Sequence, residues 1–268
     1  MKRDCDLCGS SDRTRLPQDL RIAVCMSCGF VYVPERRTSA EIAEAWGAVY
    51  GADYNPEWPG VKARLYYVAE WIDRHIGLNG KTLLDIGAGQ GQFLRLARER
   101  GAIVQGLEPS YDNMMICVVG VGHGLNTMTL GTVERAGPIL PVDIVTINWT
   151  LENCGDCIAM LEYAAEHLTP GGSVVVATGS RILVPFKKPL SSYLNPKLPA
   201  DLHCFRWSAA SLTRALGETG LGVIIMNDFL QRDELVVVAS PERPREFIVL
   251  DDPAAVLRHF AEWARLFP

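Results

Sequence analysis

The sequence predicts a doubly wound, mostly parallel α/β sheet preceded by a small metal-stabilised ribbon. Three observations carry that prediction. Apolar strand patterns alternate with helix patterns between Thr82 and Ala239. The first of these strands runs into a turn of alternating glycines, Leu83-Leu-Asp-Ile-Gly-Ala-Gly-Gln-Gly91, and the next strand ends on Glu108, twenty-three residues after Asp85. Two Cys-x-x-Cys pairs stand near the N-terminus.

The pairs are Cys5-Asp-Leu-Cys8-Gly and Cys25-Met-Ser-Cys28-Gly, with sixteen residues between Cys8 and Cys25. Each turn offers two thiolates to one side, so Cys5, Cys8, Cys25 and Cys28 complete a tetrahedron suited to structural Zn2+. Gly9 and Gly29 permit the left-handed backbone such knuckles need. Leu20–Val24 alternates like a strand, and a second short strand follows Cys28. A ribbon over residues 1–37 is expected.

Residues 38–80 read as a helical linker or lid. Thr38-Ser-Ala-Glu41 is a capping box that starts a helix carrying Ile42, Ala45 and Trp46. A loop over 51–60 precedes a helix from about Val61 to His75, with Leu65, Val68 and Ile72 on one face. The body, 81–240, then alternates strand 82–86, helix 92–100, strand 103–107 and helix 110–118. Strands at 127–130 and 143–147, a helix over 156–167 and a strand over 173–177 follow. A Pro-containing stretch leads to helix 208–218 and strands 223–229 and 234–239. Only a few polar residues join the last two strands, too few for a crossover, so they must be antiparallel. Residues 241–268 form an extension whose amphipathic helix, 253–266, packs on the body.

At 268 residues the chain accommodates one α/β domain plus a small appendage. A net charge of −5 disfavours a general nucleic-acid binder. The ribbon does not change that: residues 1–37 hold seven Lys/Arg against five Asp/Glu, and four thiolates with one zinc ion add about −2. No apolar run approaches the ~20 residues of a membrane span. The start Met1-Lys-Arg-Asp-Cys leads into no apolar stretch, so no export signal is expected and a reducing cytoplasm suits the thiols.

Glycines at the turn after the first body strand let a ligand lie against the backbone, and the carboxylate ending the next strand can grip both ribose hydroxyls. An adenosine-containing cofactor follows. The spacing G-x-G-x-G after Asp85 departs from the dinucleotide fingerprint. Asp-x-Gly-x-Gly-x-Gly with the downstream acid resembles motifs I and II of class I methyltransferases that use S-adenosylmethionine (SAM). Val142–Asn153 resembles the fourth strand of that fold, and Leu168-Thr-Pro-Gly-Gly resembles its turn into the fifth strand. The resemblance implies a Rossmann-like, seven-stranded methyltransferase sheet with an antiparallel last strand.

It also implies roles. Gly87, Ala88 and Gly89, with Gly91, would form the wall for the methionine part of SAM. Asp85 would orient that loop or the cofactor's amino group. Glu108 would take the ribose hydroxyls, Pro109 and Ser110 would flank the adenine, and Thr132, Val133 and Glu134 would meet its edge. Asn148 would sit under the reactive methyl. Tyr50 and Tyr54 lie on the covering loop, where an aromatic face attracts a sulfonium.

A four-cysteine ribbon leading into this sheet resembles bacterial methyltransferases of sugar, polysaccharide and antibiotic pathways. Their sugar C-methylating members carry His-Glu-His-Phe-Ser-Tyr-Phe-Ser where this chain has Asp201-Leu-His-Cys-Phe-Arg-Trp-Ser208. His203 and Ser208 match. The glutamate before that histidine is Leu202 here, and that group's large C-terminal domain is missing, so O-methylation is expected over C-methylation. His203 is the leading candidate general base, on a loop at the sheet's ligand-binding edge. Asn153 stands where relatives carry the histidine of Leu-Glu-His. Cys154-Gly-Asp-Cys157 has no second pair and is expected to bind no metal, and a helix C-terminus accounts for His167. Arg181, Lys187, Lys188 and Lys197 suggest an acceptor with phosphate or carboxylate, such as a nucleotide sugar or glycan. Three other readings stay open: deoxysugar C-methylation, N-methylation of RNA or protein with the ribbon as reader, and SAM binding without turnover. Oligomeric state is not indicated.

Overall fold

The computed structural model describes residues 4–49, 57–122, 125–186, 188–227, 234–244 and 250–267. Three short strands come first, β1 (Arg13–Leu16), β2 (Asp19–Cys25) and β3 (Val31–Tyr32), then helices α1 (Ser39–Val49) and α2 (Pro59–Ile76). The alternating body opens with β4 (Thr82–Ile86), α3 (Gln92–Glu99), β5 (Ile103–Glu108), α4 (Tyr111–Val121) and β6 (Leu125–Leu130). It continues with β7 (Val142–Asn148), α5 (Cys157–Glu166) and β8 (Leu168–Thr178). After α6 (Leu190–Leu194) and β9 (Phe205–Arg206) come α7 (Ala209–Glu218), β10 (Gly222–Met226), β11 (Leu235–Ser240) and α8 (Pro253–Leu266).

Seven strands form the main sheet in the order β10-β11-β8-β7-β4-β5-β6. The inner pairings β4–β5, β4–β7, β5–β6 and β7–β8 are parallel. The strand β11 runs antiparallel to β10, as the short connection required, and also to β8. Strand residues alternate between two cores. Leu84, Ile86, Val174, Val176, Leu235 and Val237 face one, and Leu83, Val175, Ala177, Val236 and Val238 face the other. Burial on both faces is why these strands read as continuous apolar runs.

Helix starts follow side-chain chemistry. Glu41 accepts from the Thr38 backbone N–H at 2.9 Å, closing the capping box of α1. Ser110 caps α4, Asp156 caps α5, Ser208 caps α7 with Ser211, and Asp252 caps α8 ahead of Pro253. Strand β8 begins at Leu168, five residues before the expected start, because Leu168 pairs with Val142 before the register shifts.

The ribbon is built into the body. Its four-stranded sheet has the order β1-β2-β3-β9, so the last strand comes from residues 205–206, with Tyr32 opposite Phe205 and Val31 opposite Arg206. One face, with Leu16, Ile22, Val24 and Val31, packs on Val256, Phe260 and Trp263 of α8. The other side, with Ala23, Phe30 and Tyr32, merges with the main core through Phe205 and Trp207. Burial of these aromatic side chains welds ribbon, body and C-terminal helix into one packed unit.

Candidate functional site

The parallel strands deliver their carboxyl ends to one cavity of about 440 Å³, lined by Gly87, Glu108, Gly131, Asn148 and Gly179 among others. That is the edge at which open α/β sheets take ligands, and the volume suits a cofactor. The lining residues decide whether a cofactor fits.

At the glycine turn, Gly87, Gly89 and Gly91 hold φ of 75°, 54° and 78°, the left-handed region that favours glycine. A Cβ on Gly87 would stand 2.4 Å from the Thr150 hydroxyl oxygen. The backbone N–H groups of Gly87 and Ala88 both donate to the Leu107 carbonyl, at 2.7 and 3.0 Å. The turn is thereby stapled to the end of β5. Glu108 completes the staple: Gly89 N–H donates to its Oε2 at 2.8 Å and Ser110 N–H to its Oε1 at 2.9 Å. Burial pushes the Glu108 carboxyl above its ordinary value, and the two N–H donors oppose that. With the Asn113 side chain also hydrogen-bonded to it, the carboxylate keeps room for a further donor such as a ribose hydroxyl.

Asp85 lies at the end of β4, 2 % exposed. Its Oδ1 accepts from the Thr146 hydroxyl at 2.7 Å and from Asn148 Nδ2 at 3.0 Å. Burial pushes this carboxyl up to about 7 against those two hydrogen bonds, and the nearby Glu108 charge adds to the rise. Asn148 leaves its buried Oδ1 without a partner. A buried amide oxygen at a cavity wall, with its NH2 engaged behind it, is suited to a ligand donor. The next residue, Trp149, holds φ of 51°, a conformation that costs a non-glycine residue energy and marks ligand sites.

Pro109, Ser110, Thr132, Val133 and Glu134 line the same cavity. Helix α1 reaches it too, the Ser39 hydroxyl donating to Glu134 Oε1 at 2.5 Å. Tyr50, Tyr54, His123 and Lys187 lie outside the described residues.

A second set of cavity residues comes from the turn Ala200–His203, β9, α6 and the turn Leu151–Asn153. His203 is half-buried, and its Nδ1 has no partner. The Trp46 ring meets its edge at 5.6 Å, and Trp46 Nε1 donates to the Leu202 carbonyl at 3.0 Å. Burial, then the charges of Arg206 and Lys188, push the imidazole down to about 3, so it is neutral at physiological pH.

Sequence reasoning missed Arg206, Tyr193 and Glu152. Arg206 is 2 % exposed and donates through Nη1 to the His203 carbonyl at 2.9 Å. Its guanidinium stands 5.9 Å from the centre of the Tyr193 ring. Among the described residues Arg206 makes no ion pair. Its neighbour Asp19 is held by Arg21 at 2.6 Å. Tyr193 keeps its buried hydroxyl without a partner. Glu152 is 2 % exposed, and burial pushes its carboxyl up to about 7. An arginine in a strand, Phe205-Arg-Trp, was the available signal for the buried charge. Of the expected cationic rim, Lys188 lines the cavity, Arg181 is buried elsewhere and Lys197 is exposed.

In the ribbon, the Sγ atoms of Cys5, Cys8, Cys25 and Cys28 all lie within 4.8 Å of one another, with Cys5–Cys28 and Cys8–Cys25 at 3.5 Å. A tetrahedral Zn–S length of about 2.3 Å implies sulfur separations of about 3.8 Å, so the donor set fits. Gly9 and Gly29 hold φ of 69° and 74°, as the knuckles require. Burial pushes the Cys25 thiol up to about 11, and a bound cation would reverse that penalty. Cys154, Cys157 and Cys204 join no such cluster among the described residues. His167 caps α5, with Nδ1 2.8 Å from the Tyr163 carbonyl.

The sheet order, glycine turn and strand-end acid define the class I methyltransferase fold, and solved structures agree. A chain from the complex of the Haloferax volcanii Trm112 methyltransferase activator with a methyltransferase superposes with TM-score 0.59, covering 78 % of this chain and 100 % of that one at 18 % identity. The Burkholderia thailandensis 1,6-didemethyltoxoflavin-N1-methyltransferase also gives 0.59, covering 85 % and 98 % at 13 % identity. Magnesium protoporphyrin IX methyltransferase from Synechocystis PCC 6803 with bound S-adenosylhomocysteine gives 0.53, covering 75 % and 94 % at 16 % identity. The model of the methyltransferase domain matches residues 61–224, more than half the chain, and the protein belongs to that family. Curated relatives include a ubiquinone biosynthesis O-methyltransferase of Stutzerimonas stutzeri, 28 % identical over 51 % of this chain and 61 % of its own length. One from Vibrio parahaemolyticus is 30 % identical over 53 % and 60 %. The chain thus spans less than two thirds of the length of these relatives.

Proposed function

We propose that the protein transfers the methyl group of SAM to a hydroxyl of a small molecule that bears an anionic group. One observation carries this reading: the cofactor-type residues Gly87, Gly89 and Glu108 and the cationic residues Arg206 and Lys188 line a single cavity. The glycine turn with Ala88 would receive the methionine part, Glu108 the ribose, and Pro109, Thr132 and Val133 the adenine. Asp85 and Asn148 would hold the cofactor's polar end. Bound there, the cofactor supplies an electrophilic methyl group on a sulfonium.

What the chain adds is alignment and charge. A buried guanidinium with no ion pair among the described residues favours a phosphate or carboxylate on the acceptor. Trp46 and Tyr193 give the cavity ring faces against which a sugar or aromatic ring can lie. The relatives' names support O-methylation over C-methylation. Within that class we propose a sugar, nucleotide sugar or glycan acceptor, with His203, the candidate base from the sequence, in contact with the reacting hydroxyl. Zn2+ at Cys5, Cys8, Cys25 and Cys28 would be structural, since all four positions are filled by protein. Thiolates kept for a metal would suit a reducing compartment such as the cytoplasm. No helix among the described residues is long and apolar enough to cross a membrane.

The test is methylation of a panel with UDP-glucose and protocatechuate as anionic acceptors and their uncharged counterparts, glucose and catechol, as controls. Turnover confined to anionic acceptors and lost in Arg206→Met supports the reading. Equal turnover of the uncharged controls contradicts it.

A further inference from the structure

Resting on the methyl-transfer reading above, we infer that the Glu152 carboxylate, and not the His203 imidazole, receives the proton of the acceptor hydroxyl. Glu152 sits on the one-turn helix Leu151–Asn153 that directly follows β7, in the cavity wall. Its Oε1 accepts from the Gly179 backbone N–H at 3.2 Å, and its buried Oε2 has no partner. The carboxylate is therefore anchored by one oxygen and offers the other. A buried carboxylate oxygen without a donor is costly unless a ligand supplies one, and an acceptor hydroxyl is such a donor.

Groups from every surrounding element leave it that way. Arg64 of α2 acts on Glu152 from a distance, but its Nε is 3.8 Å from Glu234 Oε1 and its guanidinium lies 5.3 Å from the Trp149 ring centre. Thr178 and Gly179 at the end of β8 supply hydrogen bonds. Tyr193 of α6 feels the Glu152 charge and also that of Arg206 from β9. The Leu151–Asn153 turn packs directly on β9 and on the turn that carries His203.

Basicity separates the two candidates. A general base works best when its conjugate acid ionises near the working pH. Burial brings Glu152 to about 7. Burial together with Arg206 and Lys188 brings His203 to about 3, so a proton placed there returns at once. His203 is left to accept a hydrogen bond at Nδ1 and so to position the hydroxyl. In the step, the acceptor O–H bond breaks and its proton passes to Glu152 Oε2. The freed oxygen pair forms the new O–CH3 bond, and the pair of the broken S–CH3 bond stays on sulfur as a thioether.

The test joins a titration to kinetics. Infrared difference spectra of the SAM-loaded protein from about pH 5 to about pH 9 should show protonated carboxyl absorbance that vanishes near neutrality. Glu152→Gln should remove part of it and Asp85→Asn a further part. With whichever of UDP-glucose or protocatechuate is methylated, Glu152→Gln should lower kcat at least about 100-fold and abolish its rise through neutral pH. Glu152→Asp should restore the rise with a shifted midpoint. His203→Gln should raise KM and keep the rise. If Glu152→Gln keeps the rise, or its spectrum matches that of the wild type, the inference is overturned. SAM uptake and acceptor turnover by the wild type, with SAM uptake retained by the Glu152 variants, distinguish that outcome from failure of the methyl-transfer reading, which fails if the wild type takes up no SAM or methylates no acceptor.

Discussion

Arg37 grips Asp201 through a bidentate ion pair, Nε to Oδ2 and Nη2 to Oδ1 both at 2.8 Å, and the Arg37 backbone N–H adds a third bond to Oδ2 at 3.0 Å. This pair ties the end of the ribbon to the turn that carries His203. Burial works to raise the Asp201 carboxyl, but Arg37 wins and holds it below the usual range. Arg37→Ala should cost about 1 kcal/mol of stability, since the guanidinium is partly exposed. Its larger effect should fall on acceptor KM, with SAM affinity unchanged. Equal losses in both affinities would show that the pair supports the fold generally and not the acceptor turn.

The same connection links the four-cysteine cluster to the side of the cavity that carries His203. Arg36 extends it: its guanidinium pairs with Asp6, donates through Nε to the Gly155 carbonyl at 2.8 Å and lies 4.8 Å from the Phe205 ring centre. Metal analysis should find about one zinc per chain. Its removal by a chelator should lower the melting temperature and impair acceptor binding before SAM binding. A metal-free protein with unchanged melting temperature would remove zinc from the account.

Gly87→Ala tests the cofactor turn. Strain at φ of 75° and the clash with Thr150 should cost about 1–3 kcal/mol. SAM affinity should fall at least about tenfold, roughly 1.4 kcal/mol. Calorimetry reads both effects. Unchanged affinity would place the cofactor elsewhere.

The stability contributed by Asp85 and Glu152 should fall as pH rises from about 4 to about 7, against an opposite trend from the depressed His203. The unfolded carboxyls of Asp85 and Glu152 ionise near their model values of 3.8 and 4.5, whereas in the fold both hold their protons up to about 7. Below the unfolded values the fold carries no penalty from these groups. Through the window it loses stability, and above about 7 the loss is complete. Asp85→Asn removes the titrating group, so its melting temperature should gain on that of the wild type across this window. Parallel curves for the two proteins would contradict the buried, protonated state.

Much of this was legible in the residues. The alternation of strands and helices, the antiparallel last strands and the knuckle glycines followed from local patterns, because strand alternation, turn chemistry and left-handed glycines act over a few residues. The grouping of Asp85, Gly87, Glu108, Thr132 and Asn148 followed from the rule that parallel strands end on one edge. What was not legible depends on long-range packing. Nothing in Phe205-Arg-Trp announces that it closes the ribbon sheet against Tyr32, nor that this places Arg206 beside His203. Glu152 lies on a three-residue helical turn after β7, too short for any periodic pattern to mark its burial. The burial that sets Glu152 and His203 apart in basicity exists only once α6, β9 and the turn after β7 meet.

Calorimetric titration of folded protein with SAM, repeated on Glu108→Ala, tests the central claim most directly. One molecule should bind per wild-type chain, with affinity weakened at least about tenfold in the variant as the ribose grip is lost. Absence of binding to the wild type, for SAM and for S-adenosylhomocysteine alike, would contradict the account.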